Sequence, residues 1–202
     1  MLTIIDYGLG NLFSMQNAFA AIGIPVRVSR EPKDILSASK LILPGVGAFR
    51  DGMDNLKRFN LVTLLTREVV HEKKPFLGIC LGMQLLASVG EEHGISSGLG
   101  WIEGNVRRFH VDEKRFRVPH IGWNNVLPTG KATLFENGTD SVFYFAHSFH
   151  FVPKDESVIS ARCDYGEDFV AAVEQDNIFG IQFHPEKSQK CGLALLERFL
   201  AL

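Results

Sequence analysis

The sequence predicts one α/β domain, residues 1–202, with a mainly parallel central sheet, flanking helices and added antiparallel strands in its second half. In the first half, short apolar runs alternate with longer segments of helical period, which is typical of parallel strands joined by crossover helices. In the second half, short segments rich in aromatic and β-branched residues favour antiparallel strands. The 202 residues, 46% of them hydrophobic, are enough to bury one full core.

The first half is predicted to alternate strands with two helices. The helix over residues 12–21 places Leu12, Met15, Phe19 and Ile22 on one face. A second helical period extends over residues 56–70. The strands of this half are predicted at residues 2–6, 26–28, 40–43 and 75–79.

The second half is predicted to consist of strands followed by one closing helix. Gln175-Asp176-Asn177 has the composition of a tight turn and predicts a hairpin between the last two strands. The helix over residues 191–202 directs Leu195, Leu196 and Phe199 inward. The strands are predicted at residues 100–109, 115–121, 141–145, 158–162, 169–174 and 178–183.

Charge, hydropathy and cysteine content exclude several classes of protein. Lys and Arg number 21 and Asp and Glu number 23, which argues against nucleic-acid binding through a basic surface. No apolar run approaches the ~20 residues of a membrane span, and residues 1–12 lack a signal peptide's basic segment. The three cysteines form no Cys-x-x-Cys pair, so we expect a cytoplasmic protein without disulfides or structural zinc.

The segment Gly78-Ile79-Cys80-Leu81-Gly82 is the most informative local pattern. It follows a predicted buried strand and precedes a helical pattern over residues 83–87, so Cys80 lies at a strand-to-helix turn. Glycines two positions away on each side leave room for a nucleophile on a strained turn. Backbone N–H groups at the start of a helix favour a thiolate. A cysteine buried between packing glycines is the alternative, but the strand–turn–helix context favours a nucleophile.

His184 and Glu186 are the best candidates for the base and the orienting acid that a thiol nucleophile needs. His184 ends the predicted strand at residues 178–183, and residues i and i+2 of an extended chain lie on one side. Pro185 favours an extended backbone at His184. A zinc deaminase is excluded because the Pro-Cys-x-x-Cys segment is absent. A simple α/β-hydrolase is excluded because its acid would precede its histidine.

Two weaker patterns do not predict a cofactor or a metal. Gly8-Leu9-Gly10 follows the first strand, but Phe13 stands where a dinucleotide-binding loop has its third glycine. A tight turn followed by the capping residue Asn11 is the better interpretation. His147-Ser148-Phe149-His150 could bind a metal only with a third ligand, which the sequence does not indicate, and the segment is more typical of a half-buried strand. We therefore expect neither a cofactor nor a metal.

Five segments resemble the class I (triad-type) glutamine amidotransferases. They follow one another in the family's order over almost the whole chain. Pro-Gly-Val-Gly and Gly-Trp-Asn further indicate the subfamily that works with a cyclase-type (β/α)8 barrel subunit. The segments are residues 5–11 (Ile-Asp-Tyr-Gly-Leu-Gly-Asn), 43–49 (Leu-Pro-Gly-Val-Gly-Ala-Phe), 78–86 (Gly-Ile-Cys-Leu-Gly-Met-Gln-Leu-Leu), 119–124 (Pro-His-Ile-Gly-Trp-Asn) and 180–188 (Gly-Ile-Gln-Phe-His-Pro-Glu-Lys-Ser).

This resemblance implies a glutaminase that acts without a cofactor. Cys80, His184 and Glu186 would hydrolyse L-glutamine through a thioester and pass ammonia to the barrel subunit, in histidine biosynthesis. The family usually has Tyr after His-Ser, and Phe149 here lacks that hydroxyl. The remaining implied roles are an oxyanion strand of Gly45, Val46 and Gly47 aided by the backbone N–H of Leu81, and glutamine binding by Gln84, Glu92, Ser148 and Phe149.

Two other functions stay open at this point. A paralogous glutaminase could supply ammonia to an enzyme that aminates nucleotide sugars or surface polysaccharides. A non-catalytic homologue could act only as a regulatory scaffold, although the intact triad argues against this. The identity of the barrel protein that co-purifies with the chain would separate the first two functions.

Overall fold

The strands alternate with helices in the first half of the chain and follow one another in the second half. The computed structural model describes residues 1–129, 132–135 and 141–202. In these ranges the strands are β1 (Leu2–Ile5), β2 (Val26–Ser29), β3 (Lys40–Gly45), β4 (Phe76–Cys80), β5 (Val89–Gly90), β6 (Ser96–Ser97), β7 (Gly104–Arg108), β8 (His120–Pro128), β9 (Ser141–His147), β10 (Phe149–Pro153), β11 (Ile159–Asp164), β12 (Asp168–Gln175) and β13 (Ile178–Ile181). The helices are α1 (Leu12–Ala21), α2 (Pro32–Ser37), α3 (Phe49–Arg58), α4 (Leu61–Thr66), α5 (Leu81–Gln84) and α6 (Gln189–Ala201).

The central sheet contains the strands that carry the predicted nucleophile and base. Within the described residues it has nine strands in the order β2-β1-β3-β4-β13-β12-β11-β8-β9. Neighbours from β2 to β13 pair in parallel, and those from β13 to β9 pair antiparallel. This confirms the predicted parallel sheet with its antiparallel extension. The β3–β4 register pairs Gly45 with Cys80 at the strand ends where parallel sheets commonly place their sites.

A smaller sheet was not expected from the sequence. In the part of the chain that the structure describes, its four strands have the order β10-β7-β5-β6. β5 and β6 are two residues long, too short to leave a periodic pattern. Glu92 follows β5 and Phe149 begins β10, so this sheet places two of the predicted substrate-binding residues.

Helices cover both faces of the central sheet because its buried side chains alternate between two apolar cores. Ile5 and Leu43 belong to one core with residues of α3, α4 and α5. Ile4 and Ile42 belong to the other core, which Phe19 of α1 and Phe199 of α6 complete. No helix among residues 1–129, 132–135 and 141–202 combines the length and apolar character needed to cross a membrane.

The single helix predicted over residues 56–70 is wrong. α3 begins earlier, at Phe49, and the chain leaves the helical path at Asn60, whose φ is 56°. Asparagine tolerates this left-handed backbone better than most residues. α4 and a π-helical turn (Arg67–His71) follow. The pieces share one apolar period because all of them pack against the same core.

Three other predicted boundaries are also wrong. Residues 115–119 are not a strand, because the backbone carbonyl of Asp112 accepts hydrogen bonds from the N–H groups of Arg115 and Phe116, at 2.9 Å each. β7 begins only at Gly104, after a turn in which Gly100 has φ 67°. The helix predicted over residues 83–87 begins at Leu81 and ends at Gln84. The hairpin between β12 and β13 is confirmed, since Gln175 pairs with Ile178 across the turn.

Candidate active site

Cys80 lies in the strained strand-to-helix turn that the sequence predicts. Its φ is 54° and its ψ is −109°, a conformation that costs energy for any residue with a side chain. Gly78 and Gly82 make the turn possible. A Cβ at Gly82 would overlap the carbonyl oxygen of Leu43, and a Cβ at Gly78 would crowd the backbone of Gly82. The turn leaves the Cys80 side chain at the carboxyl end of the parallel strands.

His184 and Glu186 lie just beyond β13, the neighbour of β4 in the sheet. Nδ1 of His184 lies 2.9 Å from Oε1 of Glu186, and these side chains are only 4% and 3% exposed. The backbone of His184 is extended, as predicted, and its N–H donates to the carbonyl of Tyr144 at 2.8 Å. Glu186 lies in a 3-10 turn rather than in an extended segment, and this turn brings the carboxylate back to the ring.

The electrostatic environment of His184 favours its protonated form. Burial alone would lower its pKa, but the neighbouring Cys80 sulfur and the Glu186 carboxylate together raise the pKa to about 10. The Glu186 carboxylate is hydrogen-bonded to Nδ1 of the ring at 2.9 Å, and the charge of the nearby Cys80 sulfur acts on the same ring. With Nδ1 bound to the carboxylate, Nε2 is the nitrogen left for the sulfur. A proton can therefore move between the Cys80 sulfur and the His184 imidazole, while the Glu186 carboxylate holds the ring.

A cavity of about 440 Å³ opens above Cys80, within the usual size range of small-molecule sites. Gly45 is not among its lining residues: it lies behind the surface, where a Cβ would overlap the Tyr7 hydroxyl and crowd the side chain of Leu81. The other predicted oxyanion and substrate-binding residues all line the cavity: Val46, Gly47, Leu81, Gln84, Glu92, Ser148 and Phe149.

The Glu92 carboxylate is fixed at the edge of this cavity. One of its oxygens, Oε2, accepts a hydrogen bond from the backbone N–H of Phe49 at 2.9 Å. Phe49 is the first residue of α3, so the carboxylate caps an N–H that has no partner within the helix. Glu92 still lines the cavity, where the ammonium group of a ligand can approach its carboxylate.

Gln182 is a residue at the site whose role sequence reasoning missed. Its Nε2 lies 3.6 Å from Sγ of Cys80, and its Oε1 accepts a hydrogen bond from Nε2 of Gln84 at 3.0 Å. The Gln84 Nε2 also donates to the carbonyl of Phe149 at 2.9 Å. The available signal was a polar residue between two buried apolar ones, Ile181 and Phe183, two positions before the histidine.

Buried histidines extend from the cavity wall into the antiparallel part of the sheet. Nδ1 of His120 lies 3.1 Å from Nε2 of His147, and Nδ1 of His147 lies 2.8 Å from the carbonyl oxygen of Phe149. Burial lowers the pKa of His120 to about 4 and that of His147 well below its ordinary value. Among the described residues, no group of three or more His, Cys, Asp or Glu side chains is arranged to hold a metal ion.

The pKa values of the buried histidines predict that the free energy of unfolding is greatest near pH 6.5. Burial also lowers the pKa of His150 to about 4, so His120, His147 and His150 bind protons below pH 6.5 only on unfolding. As the pH falls below 6.5, each of these histidines lowers the free energy of unfolding by at most ~1.4 kcal/mol per pH unit. His184 acts in the opposite direction: its pKa of about 10 exceeds the ordinary 6.5, so its contribution is complete below pH 6.5 and is lost as the pH rises to 10.

Urea unfolding between pH 9 and pH 4.5 measures how the free energy of unfolding falls with pH on the acid side and on the alkaline side of this maximum. The acid slope should become shallower in His120→Gln, which removes one of the buried titrating groups. Equal stability at pH 7 and pH 5 in the unmodified chain would contradict the assignment of three neutral buried histidines.

Comparison with known proteins identifies similar sequences over the full chain. A model of the family described as glutamine amidotransferase class-I matches residues 3–201. The chain is 48% identical to imidazole glycerol phosphate synthase subunit HisH 1 of Campylobacter jejuni (strain RM1221), with 100% of both proteins covered. It is 46% identical to subunit HisH 2 of Pseudomonas aeruginosa, again over 100% of both. A crystal structure of a glutamine amidotransferase, 20% identical, shares the fold with a TM-score of 0.76 over 99% of this chain and 97% of that one.

Proposed function

This chain belongs to the class-I glutamine amidotransferase family, and we propose that it is the glutaminase subunit of an imidazole glycerol phosphate synthase, in histidine biosynthesis. Relatives with that name, at 46% and 48% identity over their full length, support the pathway. One observation carries the chemistry: Cys80 lies on a strained turn beside the buried His184–Glu186 pair, at a cavity of amino-acid size.

In the first half of the reaction, glutamine becomes a thioester. The Cys80 sulfur attacks the side-chain amide carbon of glutamine, and the C–N bond of the resulting tetrahedral intermediate breaks. His184 delivers the proton it holds to the departing nitrogen, which leaves as ammonia. The Glu186 carboxylate holds the ring through Nδ1, so Nε2 stays directed at the reacting atoms.

In the second half of the reaction, water releases glutamate. His184 accepts a proton from water as the water oxygen attacks the thioester carbon, and the C–S bond then breaks to regenerate Cys80. In both halves the negative charge on the substrate oxygen needs hydrogen-bond donors. Backbone N–H groups at Gly47 and Leu81 are the proposed donors, each worth ~10²–10³-fold in rate. The N–H of Leu81 is suited to this role because it lies in the first turn of α5 and lacks an intrahelical partner.

The remaining cavity residues fit the polar ends of glutamine. Glu92 can bind its α-ammonium group, while Gln84, Ser148 and Phe149 can hold the rest of the substrate. The carbonyl of Phe149 already accepts a hydrogen bond from Gln84, so the backbone here is held in place without the tyrosine hydroxyl that the family usually has. Contacts from the backbone of residues 148–149 would therefore survive this substitution.

The proposed partner is a cyclase-type (β/α)8 barrel subunit that receives ammonia through a channel. Residues 1–202 would then act as one glutaminase domain in the cytoplasm, and the cyclase (lyase) chemistry would belong to the barrel. Neither a nucleic acid, a membrane nor a cofactor takes part in this scheme. The alternative acceptor, a nucleotide sugar or polysaccharide precursor, would require a different partner protein.

We expect the isolated chain to release glutamate at least ~100-fold more slowly than its complex with the barrel. Gly45 is held beneath Tyr7 and Leu81, whereas Val46 is 42% exposed at the cavity and Gly47 has φ 107°. The peptide of this segment can therefore rotate, because glycine tolerates φ of either sign. A resting peptide that turns its carbonyl toward the substrate lacks one oxyanion donor, and a partner that binds the rotated form more tightly supplies it.

Glutamate release should be measured for the chain alone, with the barrel, and with the barrel plus an acceptor analogue. The rate should rise in that order, with Cys80→Ala as the background. An isolated chain that turns over at the full rate of the complex would rule out this form of control. A chain that fails to bind the cyclase-type barrel but binds an amination enzyme would favour the alternative pathway.

A further inference from the structure

The Gln182 side chain is completely buried, yet both ends of its amide are used. Its exposed fraction is 0%, and it lies between Ile181 and Phe183, which are also fully buried. An amide in such surroundings is costly unless its donor and acceptor both find partners. Here Oε1 accepts from Gln84, and Nε2 faces the Cys80 sulfur at 3.6 Å.

The carbonyl of Phe149 fixes the direction of these hydrogen bonds. A carbonyl oxygen can only accept, so the Gln84 atom 2.9 Å from it must be the amide nitrogen. The same nitrogen lies 3.0 Å from the Gln182 amide, which must therefore present its oxygen. Consequently the nitrogen of Gln182 faces Cys80, and its N–H points at the sulfur. The orientation of the Gln182 amide thus follows from its hydrogen-bond partners, beginning with the Phe149 carbonyl, which can only accept.

We infer that Gln182 is a positioning residue for glutamine hydrolysis, which donates a hydrogen bond to the Cys80 sulfur and links it to the substrate-binding side chain of Gln84. This inference rests on the proposed function. Hydrogen bonds to an ionised acceptor are stronger than those to a neutral one, so the donor favours the thiolate over the thiol. The thiolate is the nucleophile, and α5, which has only four residues, offers it little stabilisation from a helix dipole.

Other titratable groups also face Cys80, and a Gln182 variant retains all of them. The charge of Cys80 helps to raise the pKa of His184, and it adds to burial in raising the pKa of Tyr7. Any change in the reactivity of the sulfur in such a variant therefore reports the missing amide. The other titratable groups that line the cavity are Glu92, His147 and Lys187.

The test is the pH dependence of Cys80 alkylation by iodoacetamide, read by peptide mass spectrometry. Gln182→Met replaces the amide by an apolar chain of similar length, and Gln182→Asn keeps an amide that stops one methylene short. In both variants we expect the pH midpoint of the alkylation rate to rise by about one unit. At a pH below both midpoints, this corresponds to an alkylation rate about tenfold lower. With the barrel present, kcat for glutamine should fall about tenfold or more, with a smaller change in KM.

Gln84→Met is the comparison variant, because it removes the bond between the two glutamines but keeps the Gln182 amide beside the sulfur. We expect it to raise KM for glutamine and to shift the alkylation midpoint by less than Gln182→Met does, because the amide is still present although Gln84 no longer holds it. An unchanged midpoint in Gln182→Met, or an equal shift in Gln84→Met, overturns the inference while the proposed function stands. If Cys80 of the unmodified chain is not alkylated, the proposed function fails first.

Discussion

Cys80→Ala is expected to lower glutamine hydrolysis by ~10⁶-fold, the loss typical of removing the nucleophile of a catalytic triad. Neither remaining cysteine can replace it. Burial, with help from nearby Asp164 and Asp168, raises the pKa of the Cys163 thiol to about 12, and Cys191 is exposed on α6. Glutamate release in the complex with the barrel measures the loss.

The matched control is Cys191→Ala, which removes an exposed thiol that does not line the cavity and should keep full activity. Cys80→Ala should also bind the barrel as tightly as the unmodified chain, because the substitution deletes only a side chain within the cavity. Residual hydrolysis within tenfold of the unmodified protein would show that the reaction does not pass through this sulfur.

His184→Ala is expected to lose about as much activity as Cys80→Ala, whereas Glu186→Gln is expected to lose about 10⁴-fold. The alanine variant removes the group that moves the proton in both halves of the reaction. The glutamine variant keeps the ring but removes the carboxylate that orients it at 2.9 Å and helps raise its pKa. kcat for the two variants separates the roles of base and orienting acid.

Glu197→Gln, at an exposed position on α6, is the control for the change from carboxylate to amide and should keep full activity. Equal residual rates for His184→Ala and Glu186→Gln would contradict the division of roles. That result would mean that the carboxylate is as necessary for proton transfer as the imidazole.

The sequence predicts those parts of the fold that depend on local periodicity. α1 spans the predicted residues, and the α6 residues Leu195, Leu196 and Phe199 are buried as expected. The break at Asn60 was missed because α3 and α4 share one apolar face, so their period continues across the break. β5 and β6 were missed because a two-residue strand has no period, and their pairing depends on distant parts of the chain.

In the candidate site, too, the sequence predicts what neighbouring residues determine and misses what depends on distant parts of the chain. Cys80 with its flanking glycines and His184 with Glu186 are recognisable locally, because the turn and the short loop are encoded by neighbouring residues. That β13 pairs with β4, which brings Cys80 and His184 together, depends on a sheet order that the sequence alone does not specify. Gln182 acquires its role only from that pairing and from Gln84, and the sequence marks it only as a polar residue between the buried Ile181 and Phe183.

Labelling with a diazo ketone analogue of glutamine tests the central claim most directly. The analogue binds as the substrate would, its diazo carbon takes up a proton, and the attacking sulfur forms a C–S bond to that carbon as N2 leaves. The account predicts one adduct per chain, located at Cys80 by peptide mass spectrometry, formed in step with loss of glutaminase activity and prevented by excess glutamine. An adduct at Cys163 or Cys191 would contradict the account, and an unlabelled chain that still binds its barrel would identify a regulatory scaffold.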